Sequence, residues 1–143
     1  MNSDLSITIT GATGWLGLEL INILSNLNRS ELKLDLISSS EAQIEVNKKK
    51  FLTSIFTKNK SSEADIYFDF AFLTREKINT LGPEKYVAAN KDIVSNSVKL
   101  IKLKQPKTVI LASSGAVYGV GSNDLKGNNY LYSDLKLMQE ERI

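Results

Sequence analysis

The chain has 143 residues, of which 42% are hydrophobic and 24% charged, a balance typical of a soluble globular domain rather than of a disordered or fibrous chain. Its 18 basic and 16 acidic residues leave a net charge of only +2, and their scatter does not indicate a nucleic-acid partner. The absence of Cys and His excludes disulfides, thiolate and imidazole catalysis and nearly every transition-metal site. Proton transfer therefore falls to Tyr, Lys or a carboxylate.

The length predicts one domain over residues 1–143 with a core of its own. No apolar stretch approaches the roughly 20 residues that a membrane span needs, and no basic segment followed by an apolar one opens the chain. These features predict a cytoplasmic protein without a membrane partner.

The first half of the chain alternates strand and helix patterns. Residues 5–10 are short and β-branched and end at a glycine, which predicts a strand leading into a tight turn. Leucines at helical spacing predict a helix over Trp15–Leu27, and residues 31–40 predict a second strand. Residues 47–62 are a weaker strand candidate. The predicted apolar face of the helix consists of Leu16, Leu20, Leu24 and Leu27, widened by Ile21 and Ile23.

The second half continues the alternation. Residues 64–74 and 107–114 are near-continuous apolar runs, as expected for strands covered on both faces of a parallel sheet. A Gly-Pro-Glu start and apolar residues at helical spacing predict a helix over 82–104, and residues 130–143 predict another. This order predicts a doubly wound, three-layer α/β domain with a parallel sheet, whose ligand binds at the carboxyl ends of the strands.

Three glycines, Gly11, Gly14 and Gly17, lie between the first strand and the first helix. Glycine allows a tight turn and close approach to the backbone, and the free N–H groups of a helix start favour an anion. The corner therefore fits the pyrophosphate of a dinucleotide. The alternative is a strand-to-helix turn in which the glycines serve only packing.

A second group of polar residues follows later strands. Ser114 stands at the end of the strand predicted over 107–114, where it either binds a substrate oxygen or satisfies the backbone of its own turn. Tyr132 and Lys136 are four residues apart on a helix and share a face, so the ammonium is expected to lower the pKa of the phenol. Tyr130 and Tyr118 are the other candidates for the base. Asp134 lies four residues after Tyr130, where its carboxylate would raise the pKa of that phenol, and Tyr118 lies in an apolar turn.

In this order the motifs resemble the extended short-chain dehydrogenase/reductase superfamily, in particular its NAD-dependent epimerase/dehydratase family, which acts on nucleotide sugars. The matching pieces are "TGATGWLG", "DIYFDFAF", "ASSGAVYG" and the pair Tyr132 and Lys136. The resemblance runs nearly end to end and implies a Rossmann-like fold, a nicotinamide cofactor and hydride transfer at a sugar carbon that bears a hydroxyl.

The resemblance also implies roles for single residues. Ser114 would position the reacting oxygen, Tyr132 would be the general acid and base, and Lys136 would bind the nicotinamide ribose. Ala71 would lie against the cofactor, and Asn90 matches the Asn that opens the family's fourth helix. The residues predicted to bind the cofactor are Gly11, Thr13, Gly14, Trp15, Leu16, Gly17, Ser38, Ala71, Asn90, Tyr132 and Lys136, and no metal site is predicted.

The chain departs from the family pattern at several positions. Asp69 and Phe72 replace a His and an Ala of the fourth strand, and Leu135 replaces a Ser or Thr before the Lys. The connection from Ser114 to Tyr132 is short, and the chain ends at Ile143, so the family's C-terminal substrate lobe is absent from the predicted domain. These departures weaken the prediction of activity more than the prediction of fold.

The choice between NAD and NADP rests on the end of the second strand. An acidic residue about 20 positions past the glycines would bind the ribose of NAD, but the strand ends in Ser38, Ser39 and Ser40. Serines tolerate a 2′-phosphate, and Lys48–Lys50 would supply charge, which slightly favours NADP. The alternative for the lysines is a solvated loop.

Three functions remain open at this point. The first is an NAD(P)-dependent epimerase, dehydratase or reductase of nucleotide sugars, or its cofactor-binding half; the second is a non-catalytic NAD(P)-binding module; the third is a scaffold. A homodimer is predicted from apolar positions on two helices, which alternatively cover the sheet. These positions are Val94, Val98, Ile101, Leu131, Leu135 and Met138.

Overall fold

The computed structural model describes residues 4–27, 31–59, 63–119 and 127–143. Parts of the predicted third strand and of the connection from Ser114 to Tyr132 lie outside the described residues. The elements are β1 (Leu5–Thr10), α1 (Trp15–Asn26), β2 (Leu32–Ile37), β3 (Ala42–Val46), β4 (Lys49–Ser54), β5 (Ile66–Asp69), α2 (Lys77–Leu81), α3 (Pro83–Lys104), β6 (Thr108–Leu111) and α4 (Asn128–Arg142), with 3₁₀ turns at Phe56–Lys58 and Gly115–Gly119. Among these described helices, none has the length and apolar character needed to cross a membrane.

The strands form one sheet in the order β3-β4-β2-β1-β5-β6. β1 pairs in parallel with β2 and β5, and β4 pairs in parallel with β2. The expectation of a wholly parallel sheet is wrong at one edge, where β3 runs antiparallel to β4. Asn47 and Lys48 have φ angles of 52° and 62° and form the two-residue turn that joins these strands. A two-residue turn with positive φ at both positions joins antiparallel neighbours, so the pairing at this edge follows from the turn.

The chain forms two compact units, one of residues Met1–Ala71 and Lys99–Ile110 and the other of Phe72–Val98 and Leu111–Ile143. A single domain over residues 1–143 therefore stays a prediction. The sheet belongs to the first unit, apart from the last residue of β6.

Side chains that alternate along the strands of the first unit enter two separate cores. Ile9 and Leu36 pack with Ile21 of α1, whereas Ile37 packs with Leu100 near the end of α3. Because neighbouring residues of a strand point to opposite faces, Leu36 and Ile37 place the two cores on opposite sides of the sheet. A helix thus covers each face, and the predicted doubly wound, three-layer α/β fold is confirmed.

The buried face of α1 differs from the predicted one. Leu16, Ile23 and Leu27 are 45%, 54% and 48% exposed, whereas Ile21 of the predicted face is buried together with Gly17 and Ser25. Leu20 and Leu24 flank this line and pack against the same core. The predicted face is therefore confirmed at Leu20, Ile21 and Leu24 and wrong at Leu16, Ile23 and Leu27.

The second unit has its own small core. Ile78 of α2, which the sequence did not predict as a helix, packs there with Tyr86 of α3 and Leu135 of α4. Leu135 is only 3% exposed and Val94 is fully buried, so the apolar positions proposed for a dimer do not form a free surface at these residues. Leu131 and Met138 also pack on this core and Ile101 on the core of the first unit, which favours the covering role. A homodimer stays a prediction without this support.

Candidate functional site

The first glycine of the corner is required by the neighbouring strand. Gly11 has a φ of +66°, and a Cβ there would lie 2.7 Å from the Phe70 carbonyl carbon and 2.9 Å from the Ala71 nitrogen. The Ala71 N–H donates to Thr10 Oγ1 over 3.2 Å, which fixes the chain that follows β5 against β1. The first unit thus brings Gly11 and Ala71 together.

The other two glycines differ in their surroundings. A Cβ on Gly17 would lie 2.3 Å from the Gly11 carbonyl oxygen and 2.7 Å from Ala12 Cα, so packing inside the turn excludes a side chain. Gly14 is less constrained, because the nearest atom to its Cβ position is the Gly11 oxygen at 3.2 Å. Packing therefore explains two of the three glycines without a ligand, whereas Gly14 stands on the outer side of the corner.

The start of α1 fits an anionic ligand. Its N-cap is Gly14, which provides no side-chain hydrogen bond, and no acidic residue occupies the first turn. Thr13, Trp15 and Leu16 are exposed here, with Trp15 82% exposed. The first N–H groups of a helix have no partner within the helix, and together with the helix dipole they favour a negative group. The residues present are compatible with the pyrophosphate of a dinucleotide.

Polar side chains of β2 and of the residue that follows it form hydrogen bonds and an ion pair within the first unit. Ser38 is 5% exposed, and its hydroxyl donates to the Ser40 carbonyl and lies 3.0 Å from Thr53 Oγ1. Asp35 pairs with the fully buried Lys104, whose Nζ lies 2.7 Å from Asp35 Oδ2. The Ser38 hydroxyl and the Asp35 carboxylate therefore already have partners within the protein.

Lys48–Lys50 lie toward the amino end of β4, whereas a 2′-phosphate would bind at the carboxyl ends of the strands. Lys48 is in the β3–β4 turn and Lys49 begins β4, whereas the carboxyl end of that strand, Ser54, is level with Ile37 of β2. At about 3.3 Å per residue, Lys50 is some 13 Å from the level of Ser54 along the strand. This position does not support Lys48–Lys50 as a source of charge for NADP, and the preference for NADP stays a prediction.

The second unit contains a cleft of about 480 Å³. Its lining consists of Thr74, Arg75, Glu76, Ser114, Ala116, Asn129, Tyr132 and Ser133. Ser114 and Tyr132, which the sequence singled out separately, thus line the same cavity. Ser114 Oγ also accepts a hydrogen bond of 3.2 Å from the Ala116 N–H, so the turn-stabilising role considered for Ser114 is present as well.

Tyr130 and Tyr118 do not line this cleft. Tyr130 is 46% exposed and Tyr118 is 93% exposed. Of the three candidate bases in the described residues, Tyr132 alone borders the cavity.

Lys136 is held inside the second unit at 5% exposure. Its Nζ donates to the Ala112 carbonyl over 2.8 Å and to Gln139 Oε1 over 3.0 Å. The same Nζ lies 4.1 Å from the centre of the Phe72 ring, and this ring also meets the Tyr132 ring edge-on, at 5.9 Å between centroids. Phe72 therefore contacts both members of the Tyr/Lys pair. The sequence indicated Phe72 only as a departure from the family pattern and did not indicate Gln139, although Gln139 lies one turn beyond Lys136.

Asn90 and Tyr86 hold the main chain of Leu73 from one face of α3. The Leu73 N–H donates to Asn90 Oδ1 over 2.9 Å, and the Tyr86 hydroxyl donates to the Leu73 carbonyl over 2.9 Å. Burial raises the pKa of Tyr86 to about 12, so its hydroxyl keeps the proton that it donates. Asn90 Nδ2 also donates to the Tyr86 carbonyl, and Asn90 has no exposed surface. Instead of the predicted contact with a cofactor, Asn90 fixes the segment that carries Phe72 and Arg75.

Replacing Asn90 by alanine should lower the free energy of unfolding by about 1–3 kcal/mol, because the half-buried Leu73 N–H would lose its acceptor and the fully buried Asn90 amide its contacts. Urea unfolding measures this loss, and amide hydrogen exchange should be faster at Leu73. The control is Asn96→Ala on the same helix, where the side chain is only half-buried. Equal losses in the two variants would show that the hydrogen bond to Leu73 is not the cause.

The sheet order, the glycine turn and the two-sided core define a Rossmann-like α/β protein. The model of the NAD dependent epimerase/dehydratase family matches residues 7–141, and the chain belongs to this family. A comparison with curated protein sequences gives no significant match.

Solved structures of similar fold agree with this membership. A UDP-galactose 4-epimerase is 21% identical with a TM-score of 0.68 and aligns over 94% of this chain and 49% of its own. The ADP-L-glycero-D-manno-heptose-6-epimerase of Helicobacter pylori is 20% identical with a TM-score of 0.63, over 96% and 49%. MoeE5 in complex with UDP-glucuronic acid and NAD is 19% identical with a TM-score of 0.69, over 95% and 47%. At these identities the likeness shows the fold, and the chain spans about half the length of these structures.

Proposed function

We propose that the chain takes part in NAD-dependent chemistry on a hydroxyl of a nucleotide sugar, as an epimerase or dehydratase or as the cofactor-binding half of one. The observation that carries this proposal is the cleft that Ser114 and Tyr132 share. Family membership supports it. Structures of MoeE5, which has a similar fold, in complex with NAD and either UDP-glucose or UDP-glucuronic acid support it as well.

The start of α1 would hold the cofactor's pyrophosphate. The main-chain N–H groups of the turn and first helical residues, from Thr13 to Gly17, would donate to its oxygens, since the helix has no side-chain cap and no acidic first turn. A bound nicotinamide would accept or return the hydride of the sugar carbon.

Tyr132 would exchange the proton of the reacting hydroxyl. In the oxidising direction the Tyr132 oxygen would accept this proton while a bound nicotinamide took up the hydride, and in the reducing direction Tyr132 would return the proton. Ser114 would orient the hydroxyl from the same wall of the cleft. Lys136, buried beside the Phe72 ring, would supply positive charge near the phenol.

Of the two cofactors considered, the proposal takes NAD. The positive charge expected from Lys48–Lys50 lies toward the amino end of β4, and the Ser38 hydroxyl is bound within its own loop. These two observations remove the grounds for preferring NADP.

A second candidate, a non-catalytic dinucleotide-binding module, is favoured by the surroundings of Lys136. The ammonium already has the Ala112 carbonyl, Gln139 Oε1 and the Phe72 ring around it. A ribose hydroxyl would have to compete with these partners. This candidate predicts the same cofactor binding but no turnover.

Titration with NADH tests the proposal, because Trp15 is the only tryptophan of the chain and stands beside the proposed pyrophosphate site. Bound NADH should quench Trp15 emission by energy transfer in a saturable way. Gly14→Asp should weaken binding by at least about tenfold, since its carboxylate would cap the free N–H groups and repel the pyrophosphate. Leu52→Asp adds the same charge at a residue that is 77% exposed and should bind like the wild type. A folded wild-type chain that shows no saturable quenching would contradict the proposal.

A further inference from the structure

We infer that the cleft contains a subsite for an anionic oxygen group of the substrate, bound by Arg75. The inference rests on the proposed function, because it places this group in the cavity that Ser114 and Tyr132 line. It adds that the preferred substrate carries a carboxylate or phosphate within reach of Arg75 when its hydroxyl is at Tyr132.

Arg75 forms no salt bridge with any residue that the structure describes. Its guanidinium is exposed to the cleft. The adjacent carboxylate, Glu76, lines the same cleft but forms no salt bridge with Arg75. Hydrogen bonds from its own main-chain N–H and from Thr74 lower its pKa more than the charge of Arg75 does. A guanidinium without a carboxylate partner favours an external anion.

The guanidinium is also held in place. Arg75 Nη1 donates to Asn129 Oδ1 over 2.7 Å, and Asn129 lies in the first turn of α4. A second bond joins the same two segments, because Asn128 Nδ2 donates to Asn79 Oδ1 over 3.0 Å. Arg75 follows Leu73, whose main chain is bound on both sides by α3. A tethered side chain loses less conformational entropy on binding than a free one.

The chemistry of arginine limits the ligand. Its planar guanidinium binds the two oxygens of a carboxylate or phosphate in parallel, and one bond to Asn129 leaves further N–H donors. Within a nucleotide sugar, such a group is either the carboxylate of a uronic acid or the diphosphate. Both present the same pair of anionic oxygens, and a neutral sugar presents neither at its ring.

The test compares UDP-glucuronic acid, UDP-glucose and UDP as probes of the NADH-loaded chain, with saturation-transfer NMR to measure weak affinities. We expect Arg75→Gln to lower the affinity for at least one anionic group by about tenfold or more. The control Lys77→Gln removes the same charge from an exposed residue that does not line the cleft and should leave all affinities unchanged.

The pattern across the probes identifies the group. A loss confined to UDP-glucuronic acid assigns Arg75 to the sugar carboxylate, and an equal loss for all three probes assigns it to the diphosphate. Affinities that stay within twofold of the wild type in Arg75→Gln, or no binding of any probe, overturn the inference. Saturable NADH quenching in the same samples separates this outcome from a failure of the proposed function.

Discussion

Tyr132→Phe is expected to abolish turnover while leaving NADH binding intact. The change removes one oxygen from the wall of the cleft, and the ring that packs edge-on against Phe72 remains. Loss of a positioned acid or base costs about 10²–10⁴-fold in rate. The measurement is the single-turnover appearance of reduced nicotinamide absorbance when the chain, loaded with NAD⁺, is mixed with UDP-glucose or UDP-glucuronic acid.

Two other tyrosines serve as controls for this result. Tyr130 lies on the same helix as Tyr132, and Tyr118 lies four residues after Ser114. Both residues are exposed and neither borders the cleft, so Tyr130→Phe and Tyr118→Phe are matched controls. Both variants should retain the wild-type rate. A wild-type rate in Tyr132→Phe, or a loss in Tyr130→Phe or Tyr118→Phe instead, would assign the proton transfer to another residue. A wild-type chain that binds NADH but never reduces NAD⁺ would favour the non-catalytic module.

Gly17→Ala is expected to lower the free energy of unfolding by about 3 kcal/mol or more. Its Cβ would lie 2.3 Å from the Gly11 oxygen and 2.7 Å from Ala12 Cα, and these main-chain atoms cannot turn away as a side chain would. Relief requires α1 to move off the strand against which Ile21 packs. Urea unfolding followed by circular dichroism measures the loss.

Gly14→Ala is the matched control for this prediction. Its Cβ meets the same Gly11 oxygen, but at 3.2 Å, and its φ of −78° suits an alanine. Its loss should stay below about 1 kcal/mol, as expected for an N-cap change from glycine to alanine. Similar losses in Gly14→Ala and Gly17→Ala would mean that the turn adapts to a methyl group and that the close contact at Gly17 does not limit stability.

The sequence predicted the features that follow from local pattern. A β-branched run before Gly11 and the apolar run that contains β5 indicated strands, because propensity and patterning act over a few neighbours. The four-residue spacing of Tyr132 and Lys136 is also a local pattern, and it indicated that the two residues share a face of α4. That Ser114 and Tyr132 act together was implied only by the resemblance to a known family, and the two residues line one cleft.

What the sequence did not predict depends on contacts between distant segments. The β3–β4 edge required both Asn47 and Lys48 to adopt positive φ, which neither residue type demands by itself. The burial of Lys136 with Gln139 and Phe72 depends on three segments meeting, and a lysine at a site position is ordinarily read as solvent-accessible. Asn90 was predicted to contact the cofactor because a sequence does not show that the oxygen and the nitrogen of its side-chain amide both have hydrogen-bond partners inside the protein.

The two hydrogen bonds to the Leu73 main chain make the residue spacing along α3 important for the site. Tyr86 and Asn90 are four residues apart, so they share a face of α3, and both bonds to Leu73 depend on that face. Inserting or deleting a single residue between Tyr86 and Asn90 turns the two side chains about 100° apart around the helix, and one bond is lost. The four-residue spacing of Tyr86 and Asn90 should therefore stay constant among related chains.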